Sequence, residues 1–290
     1  MMRLKLSLRN TVRLALLFNL LIYVNLTGCK VRPIEPTYKE EELVSQVKQI
    51  CKDEYGLDVI TGRTPTTLWV YAPLSKILHQ DYGKKDDKVF DEEILEKLRN
   101  ILTTIGRVLI SSNHTPEFFG LVASDINIGL DYAIFANTLD IKKSYAGFIP
   151  FTEMQKRYII KFGASPAAIG DTTGKHVQIY DVTLGNFLAQ QIAQRISGQF
   201  QAEGFNKYFK VEKSDGLFNN NAFIFAYSIK EILNPEKNVN VMKEILRTIT
   251  YCIKTYEFRG FSNLEITDLV TQDKLVLSKE ELWARPMPIY

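Results

Sequence analysis

Thiols, imidazoles and paired carboxylates carry most side-chain chemistry, and this chain has few of the first two: cysteines at 29, 51 and 252, and histidines at 79, 114 and 176. No histidine has an i+4 partner or a neighbouring cysteine, the arrangements zinc commonly uses. Each lies in a polar, loop-like context and reads as an exposed surface residue. Gly170-Asp171-Thr172-Thr173-Gly174-Lys175-His176 has the glycine content of a phosphate-cradling loop. Such a loop needs a glycine five positions before the second glycine and a hydroxyl after the lysine to hold Mg²⁺. Those positions hold Ile169 and His176, so the segment reads as a turn. Gly163-Ala164-Ser165-Pro166-Ala167 begins like the sharp turn that presents a nucleophilic serine, but it lacks the closing glycine. Asp125 and Asp131 flank a predicted hairpin turn, where facing carboxylates could do acid-base work if one were buried. Aspartate is equally an ordinary turn former. The residues alone therefore assign no catalytic, cofactor-binding or metal-binding set.

The elements that must position these residues follow from hydrophobic period. Thr37-Tyr38-Lys39-Glu40 has the pattern of a capping box, and Leu43, Val44, Val47, Ile50 and Cys51 then recur at helical spacing up to Gly56. Two β-rich runs follow, Leu57 to Thr61 and Thr66 to Ala72, with turn chemistry at 62–65. Asp91-Glu92-Glu93 opens a longer helix whose stripe is Ile94, Leu95, Leu98, Ile101, Leu102, Ile105, Val108 and Leu109. Strands at Glu117 to Ser124 and Gly129 to Asn137 come next. The order helix, strand, strand, helix, strand, strand then repeats, with helices near 181–198 and 239–256 and strands near 208–213, 222–230, 262–271 and 274–277. Asn219-Asn220-Asn221 reads as the turn of the third strand pair. Capping boxes at Thr152-Glu153-Met154-Gln155 and Ser278-Lys279-Glu280-Glu281 place a short terminal helix after each half. The expected fold is α+β: two tandem modules, 37–157 and 176–290, with antiparallel sheets and helices on one face. Residues 158–175, with Gly163, Pro166, Gly170 and Gly174, read as their linker. Trp69 and Tyr71 alternate with Leu68 and Val70, so that strand is apolar on both faces and its second face needs a cover or a partner.

The N-terminal segment carries Arg3, Lys5, Arg9 and Arg13 and no acid, then an apolar run from Leu14 to Val24, then Leu26-Thr27-Gly28-Cys29. The run is shorter than the roughly 20 residues a spanning helix needs, and its order is that of a signal peptide. The segment resembles the signal peptide of bacterial lipoproteins, whose lipobox is a Leu-like residue, two small residues and a cysteine. That resemblance implies cleavage between Gly28 and Cys29, with 1–28 as signal and 29–36 as a tether containing Pro33 and Pro36. It also implies a diacylglycerol on the Cys29 thiol and usually a further acyl chain on the new amino group. Two or more chains anchor stably, since each buried methylene contributes about 0.8 kcal/mol. Lys30 rather than Asp after the cysteine implies, by the rule of Gram-negative lipoproteins, the outer membrane facing the periplasm.

Removing 1–28 takes four of the 36 basic residues and none of the 33 acidic ones, leaving 32 against 33, a charge of minus one. The basic excess that nucleic-acid binding needs is then absent. In an oxidising compartment Cys51 and Cys252 could pair, though both sit on apolar faces of predicted helices, where a free thiol packs as a small hydrophobe. The functional expectation is a membrane-anchored, non-enzymatic envelope protein that binds another envelope component. A hydrolase with a dispersed active site is the alternative, and a Ser/His/Asp set within hydrogen-bond reach would favour it.

Overall fold

The computed structural model describes residues 37–79, 89–233 and 239–288. The expected signal at 1–28 and the tether at 29–36 with Cys29 lie outside them. Helix α1 (Leu43–Tyr55) follows a 3-10 turn at Glu40–Glu42 and stops at Gly56, whose φ is +65°. The Glu42 carboxylate takes the Lys39 backbone N–H at 3.1 Å, so the helix opens two residues beyond the expected Thr37 cap. Strands β1 (Ile60–Arg63) and β2 (Thr67–Leu74) lead into α2 (Glu92–Ile110), capped by the Asp91 side chain on the Glu93 N–H. Strands β3 (Phe118–Asp125) and β4 (Leu130–Asn137) run on into α3 (Thr138–Tyr145), then α4 (Phe151–Gln155) and β5 (Ile159–Ala164).

The second half repeats this plan. Helix α5 (Leu184–Gln201), strands β6 (Phe209–Asn219) and β7 (Ala222–Glu231), α6 (Val241–Thr255), β8 (Asn263–Asp268), β9 (Lys274–Ser278) and α7 (Lys279–Ala284) match α1 through α3 in order. The β6–β7 turn places Asn220 and Asn221 at φ +48° and +57°, the left-handed pair a two-residue hairpin requires and asparagine tolerates. The module ends also correspond: β4 passes into α3 with Asn137 as cap, and β9 into α7 with Ser278 as cap. Thus the box at Ser278 forms, whereas Thr152 lies inside α4, whose cap position is Pro150 without a side-chain bond. The terminal helix of the first half is α3.

The fold is α+β with two sheets, ordered β1-β2-β3-β4-β5 and β6-β7-β8-β9. Pairs joined by short turns are antiparallel as expected, but β2–β3 and β7–β8 are parallel, so both sheets are mixed. The helix between them is the cause. An α2 of 19 residues spans about 28 Å, close to the roughly 27 Å of an eight-residue strand. It therefore carries the chain back to the end where β2 began, and β3 must run alongside in the same direction.

One face of each sheet is covered by two helices. Leu43, Val47 and Cys51 of α1 and Ile94, Leu98, Ile101 and Ile105 of α2 pack on Leu68, Val70, Leu121 and Ile134. Residues from α5 and α6 pack likewise on Phe223, Phe225, Leu264 and Ile266. The two cysteines are separated by this arrangement: Cys51 lies in the first core and Cys252 in the second, both as buried free thiols, and they form no disulfide. Burial raises both thiol pKa values, Cys252 to about 12, which keeps them protonated and unreactive.

The halves meet through a buried polar network. Arg157 Nη1 donates to Asp140 Oδ1 at 2.7 Å and Arg157 Nε to Glu153 Oε1 at 3.1 Å. Arg195 of α5 grips both Glu153 oxygens at 2.9 and 3.1 Å. Tyr256 at the end of α6 donates to Asp140, and Gln191 donates to the Arg157 carbonyl at 2.8 Å. Two cations thus face two carboxylates, and no charge in the set is left uncompensated.

Candidate functional site

The second face of the first sheet answers the question raised by Trp69 and Tyr71. Both are buried there with Phe118, Val122 and Phe135, under Val182 and, from α5, Phe187. The cover is a strap, residues 165–183, fastened to the sheet along its length. Ser165 N–H donates to Gly129 O at 2.7 Å and Gly170 N–H to Ile126 O at 2.8 Å. The Tyr71 hydroxyl donates to Asp171 O at 2.6 Å, and Trp69 Nε1 to Tyr180 O at 3.1 Å. Val182 N–H ends the series on Thr67 Oγ1 at 3.0 Å. Gly174, at φ +72°, lies on the Tyr71 ring, where an added Cβ would come within 2.8 Å of Cδ1. Any other residue there would lift the strap.

At the centre of the strap the chemistry gathers. His176 is buried, not exposed, with a side chain only 6% accessible. Its Nδ1 lies 2.7 Å from Asp171 Oδ2, and its Nε2 lies 3.3 Å from Ser124 Oγ and 3.4 Å from Asp131 Oδ1. The Ser124 hydroxyl donates to Asp131 Oδ1 at 2.5 Å. Ser124 and Asp131 are register partners on β3 and β4 and so share this face. Asp125 and Asp131 do not face each other: Asp125, one residue on, points to the other face, where it takes the N–H groups of Ile77, Asn127 and Ile128. The glycine-rich segment fails as a phosphate cradle for a visible reason. Its donors, Thr173 N–H, Thr173 Oγ1 and His176 N–H, all converge on the Asp171 carboxylate.

Ser124, His176 and Asp171 thus fall into the order of a catalytic triad. Two features set them apart from one. Ser124 is fully buried in a central strand, and its proton is already directed to Asp131. The set works as a clasp that joins strap to sheet. Beside it, however, a groove of about 380 Å³ opens between the strap and strands β4 and β5. Trp69, Phe135 and Tyr180 form its aromatic wall, with Trp69 edge-on to both Phe135 (5.6 Å) and Tyr180 (5.1 Å). Asp131 and His176 stand at one end, and the Lys161 ammonium lies 5.4 Å from the Phe135 ring centre.

Burial alone would raise the Asp171 pKa, but hydrogen bonds from His176 and Thr173 outweigh it and hold the carboxyl well below the usual range. The sign for stability follows: a depressed folded pKa adds stability that is present above the unfolded value, near 4, and is lost as pH falls below it. The strap is therefore expected to lose stability progressively as pH falls below about 4. Thermal melts followed by tryptophan fluorescence, in which Trp69 reports the strap, should show that loss, and Asp171→Asn should reduce the pH dependence of the melt.

Sequence reasoning missed Ser124, Asp171 and the burial of His176. A polar residue closing the otherwise apolar run Phe118 to Ala123 was the available signal for Ser124. Asp171 followed by Thr173 was the signal for a carboxylate turned inward to its own loop. No group of three or more His, Cys, Asp or Glu able to hold a metal occurs among the described residues, and no described helix is long and apolar enough to cross a membrane. Comparison of the chain with protein-family models, curated proteins and solved structures finds no match.

Proposed function

We propose that this is a lipid-anchored envelope protein that acts by binding, and that the groove beside the strap receives a segment of a partner protein. The observation that carries the reading is the groove itself: a rigid aromatic wall of Trp69, Phe135 and Tyr180 with an acid, Asp131, and a base, Lys161, at its margins. Aromatic anchors backed by a packed core are what interface hot spots are made of. Tyr180 is 46% exposed, so part of that wall is open to solvent. The hydrolase reading draws on Ser124, His176 and Asp171; hydrolysis of an activated ester that disappears in Ser124→Ala would put it first.

The anchor is proposed on the Leu26-to-Cys29 pattern, and Lys30 after the cysteine supports an outer-membrane location facing the periplasm. Cross-linked capture from native membranes, read by mass spectrometry, is the test of both parts. The unaltered chain is expected to carry lipid on Cys29 and to recover one partner in constant ratio. Tyr180→Ala combined with Lys161→Ala should reduce that recovery at least tenfold without releasing the protein from the membrane. Cys29→Ala should lose the lipid. Undiminished capture by the groove variant would sink the binding site, and unchanged membrane recovery of Cys29→Ala would sink the anchor.

A further inference from the structure

The turn between α3 and α4 holds three aromatic rings in solvent: Tyr145 is 59% exposed, Phe148 79% and Phe151 62%. The backbone that carries them is fixed. Past the end of α3, Gly147 sits at φ +76°, its N–H donates to Ser144 O at 3.0 Å, and the Phe148 N–H donates to Lys143 O at 2.8 Å. This is the Schellman closure of a helix, in which the residue after the glycine commonly packs an apolar side chain back on the last turn. Here the position it would pack on is Lys143, and the Phe148 ring stays out. Ile149 then packs against the first core, and Pro150, at φ −63°, opens α4 with Phe151 as its first residue. Two exposed phenylalanines thus flank a pinned residue. Large apolar side chains gathered on one exposed turn mark a site of interaction.

Charge and chain path say what covers it. Segment 138–156 has two carboxylates and three lysines. Both carboxylates are turned inward: Asp140 to Arg157 at 2.7 Å, and Glu153 to Arg157 at 3.1 Å and to Arg195 at 2.9 Å. The charges this segment offers to the outside are therefore Lys142, Lys143 and Lys156, set around the aromatic rings. Apolar and aromatic side chains ringed by lysines are what a bilayer interface with anionic headgroups accepts. The tether enters on the same side. The Tyr38 N–H donates to Ser111 O at 3.2 Å, just past the end of α2. Five residues back, about 7.5 Å along a helix, Gly106 of α2 lies against the Tyr145 ring, where an added Cβ would come within 3.4 Å of the hydroxyl. Residues 29–36 span at most about 29 Å when extended, so a lipid on Cys29 brings the bilayer within reach of this turn.

We propose that the α3–α4 turn docks on the bilayer, with Phe148 and Phe151 entering the headgroup region beside Tyr145, and Lys142, Lys143 and Lys156 meeting anionic headgroups. This rests on the anchor proposed above, and the experiment reads the two separately. The full chain is reconstituted into vesicles of phosphatidylcholine with brominated acyl chains, which quench tryptophan on contact, with and without phosphatidylglycerol. Emission is compared between the unaltered chain, Phe148→Trp and Ile128→Trp. Ile128, 58% exposed, lies in the β3–β4 turn, at the other end of those strands from the start of α3. The emission added by Phe148→Trp should shift to the blue and be at least halved by the brominated lipid, more strongly with phosphatidylglycerol, and that added by Ile128→Trp should not change. Lys142→Gln, Lys143→Gln and Lys156→Gln together should remove the gain from phosphatidylglycerol. Unquenched emission from Phe148→Trp, or equal quenching at both positions, would overturn the proposal. A blue shift without quenching would also overturn it, since a second copy or another protein would then be the cover. Flotation and the mass of the Cys29 peptide report the anchor: lipid on Cys29 with no quenching at position 148 sinks the docking turn alone, quenching without that lipid sinks the anchor alone, and a chain that does not float sinks both.

Discussion

Arg157→Met is expected to lower stability by about 3–5 kcal/mol, the penalty for removing one partner of a buried ion pair. The urea midpoint should fall at unchanged slope. Arg157 and Asp140 are 5% and 3% exposed, and among the described residues the Asp140 carboxylate has that guanidinium and the Tyr256 hydroxyl as its hydrogen-bond partners. Burial opposes the arginine's charge, but Asp140, Tyr256 and Glu153 more than offset this and hold its pKa above the usual value. Glu153 would keep Arg195 after the substitution, whereas Asp140 would be a buried charge without a cation. The combination Asp140→Asn with Arg157→Met is therefore expected to recover a good part of the loss. A double variant no more stable than the single one would show that the network matters for its shape and not for its charge.

Gly216→Ala is the second large effect, expected at about 3 kcal/mol, the upper end of overpacking penalties. For a chain of this size that lowers Tm by roughly 6–12 °C. Gly216 lies on β6 where α5 crosses it, and an added Cβ would sit 2.1 Å from the Ala189 carbonyl oxygen and 2.8 Å from Phe225. A carbonyl in mid-helix cannot swing aside, so the whole of α5 would have to move off the sheet. Gly198, in the same helix, provides the opposite sign. It is exposed, and a Cβ there meets nothing within 4 Å. Gly198→Ala should stabilise by about 0.5–1 kcal/mol. A thermal melt of both variants separates the clash from any general intolerance of substitution in α5.

What could be read from the sequence was what is local. Helices α1, α2, α5 and α6 bury stripes of Leu, Ile and Val at helical period, and Asp91 and Ser278 cap helices where those residue types predict. The strand pairs, and the Asn220-Asn221 turn between two of them, also carry their own signals. What escaped depends on residues distant in the chain. Strand β5 holds glycine and exposes five of its six residues, so nothing in its own pattern marks it. Only pairing with β4 makes it a strand. Helix α3 is eight residues long and opens out of a strand without a break, so its period hardly declares itself. The parallel joins follow from helix length rather than from strand composition. The candidate site is the extreme case: Tyr71, Ser124, Asp131, Asp171 and His176 come from three strands and the strap, and polar context alone marked His176 as a surface residue. Its burial comes from contacts that sequence separation conceals.

The strap also imposes an order on assembly. A chain that emerges from its amino terminus has every strand of the five-stranded sheet by residue 164, together with both helices that cover its first face. The second face must wait for Val182 and Phe187. Until then Trp69, Tyr71, Phe118 and Phe135 form an apolar surface on a finished sheet, and a chain halted there would be prone to self-association. Fragments ending near residue 164 should accordingly aggregate, and those extended past 187 should not. The repeated halves are thus unequal in folding: the first cannot be completed without the residues that begin the second, which makes the division between them a poor place to cut.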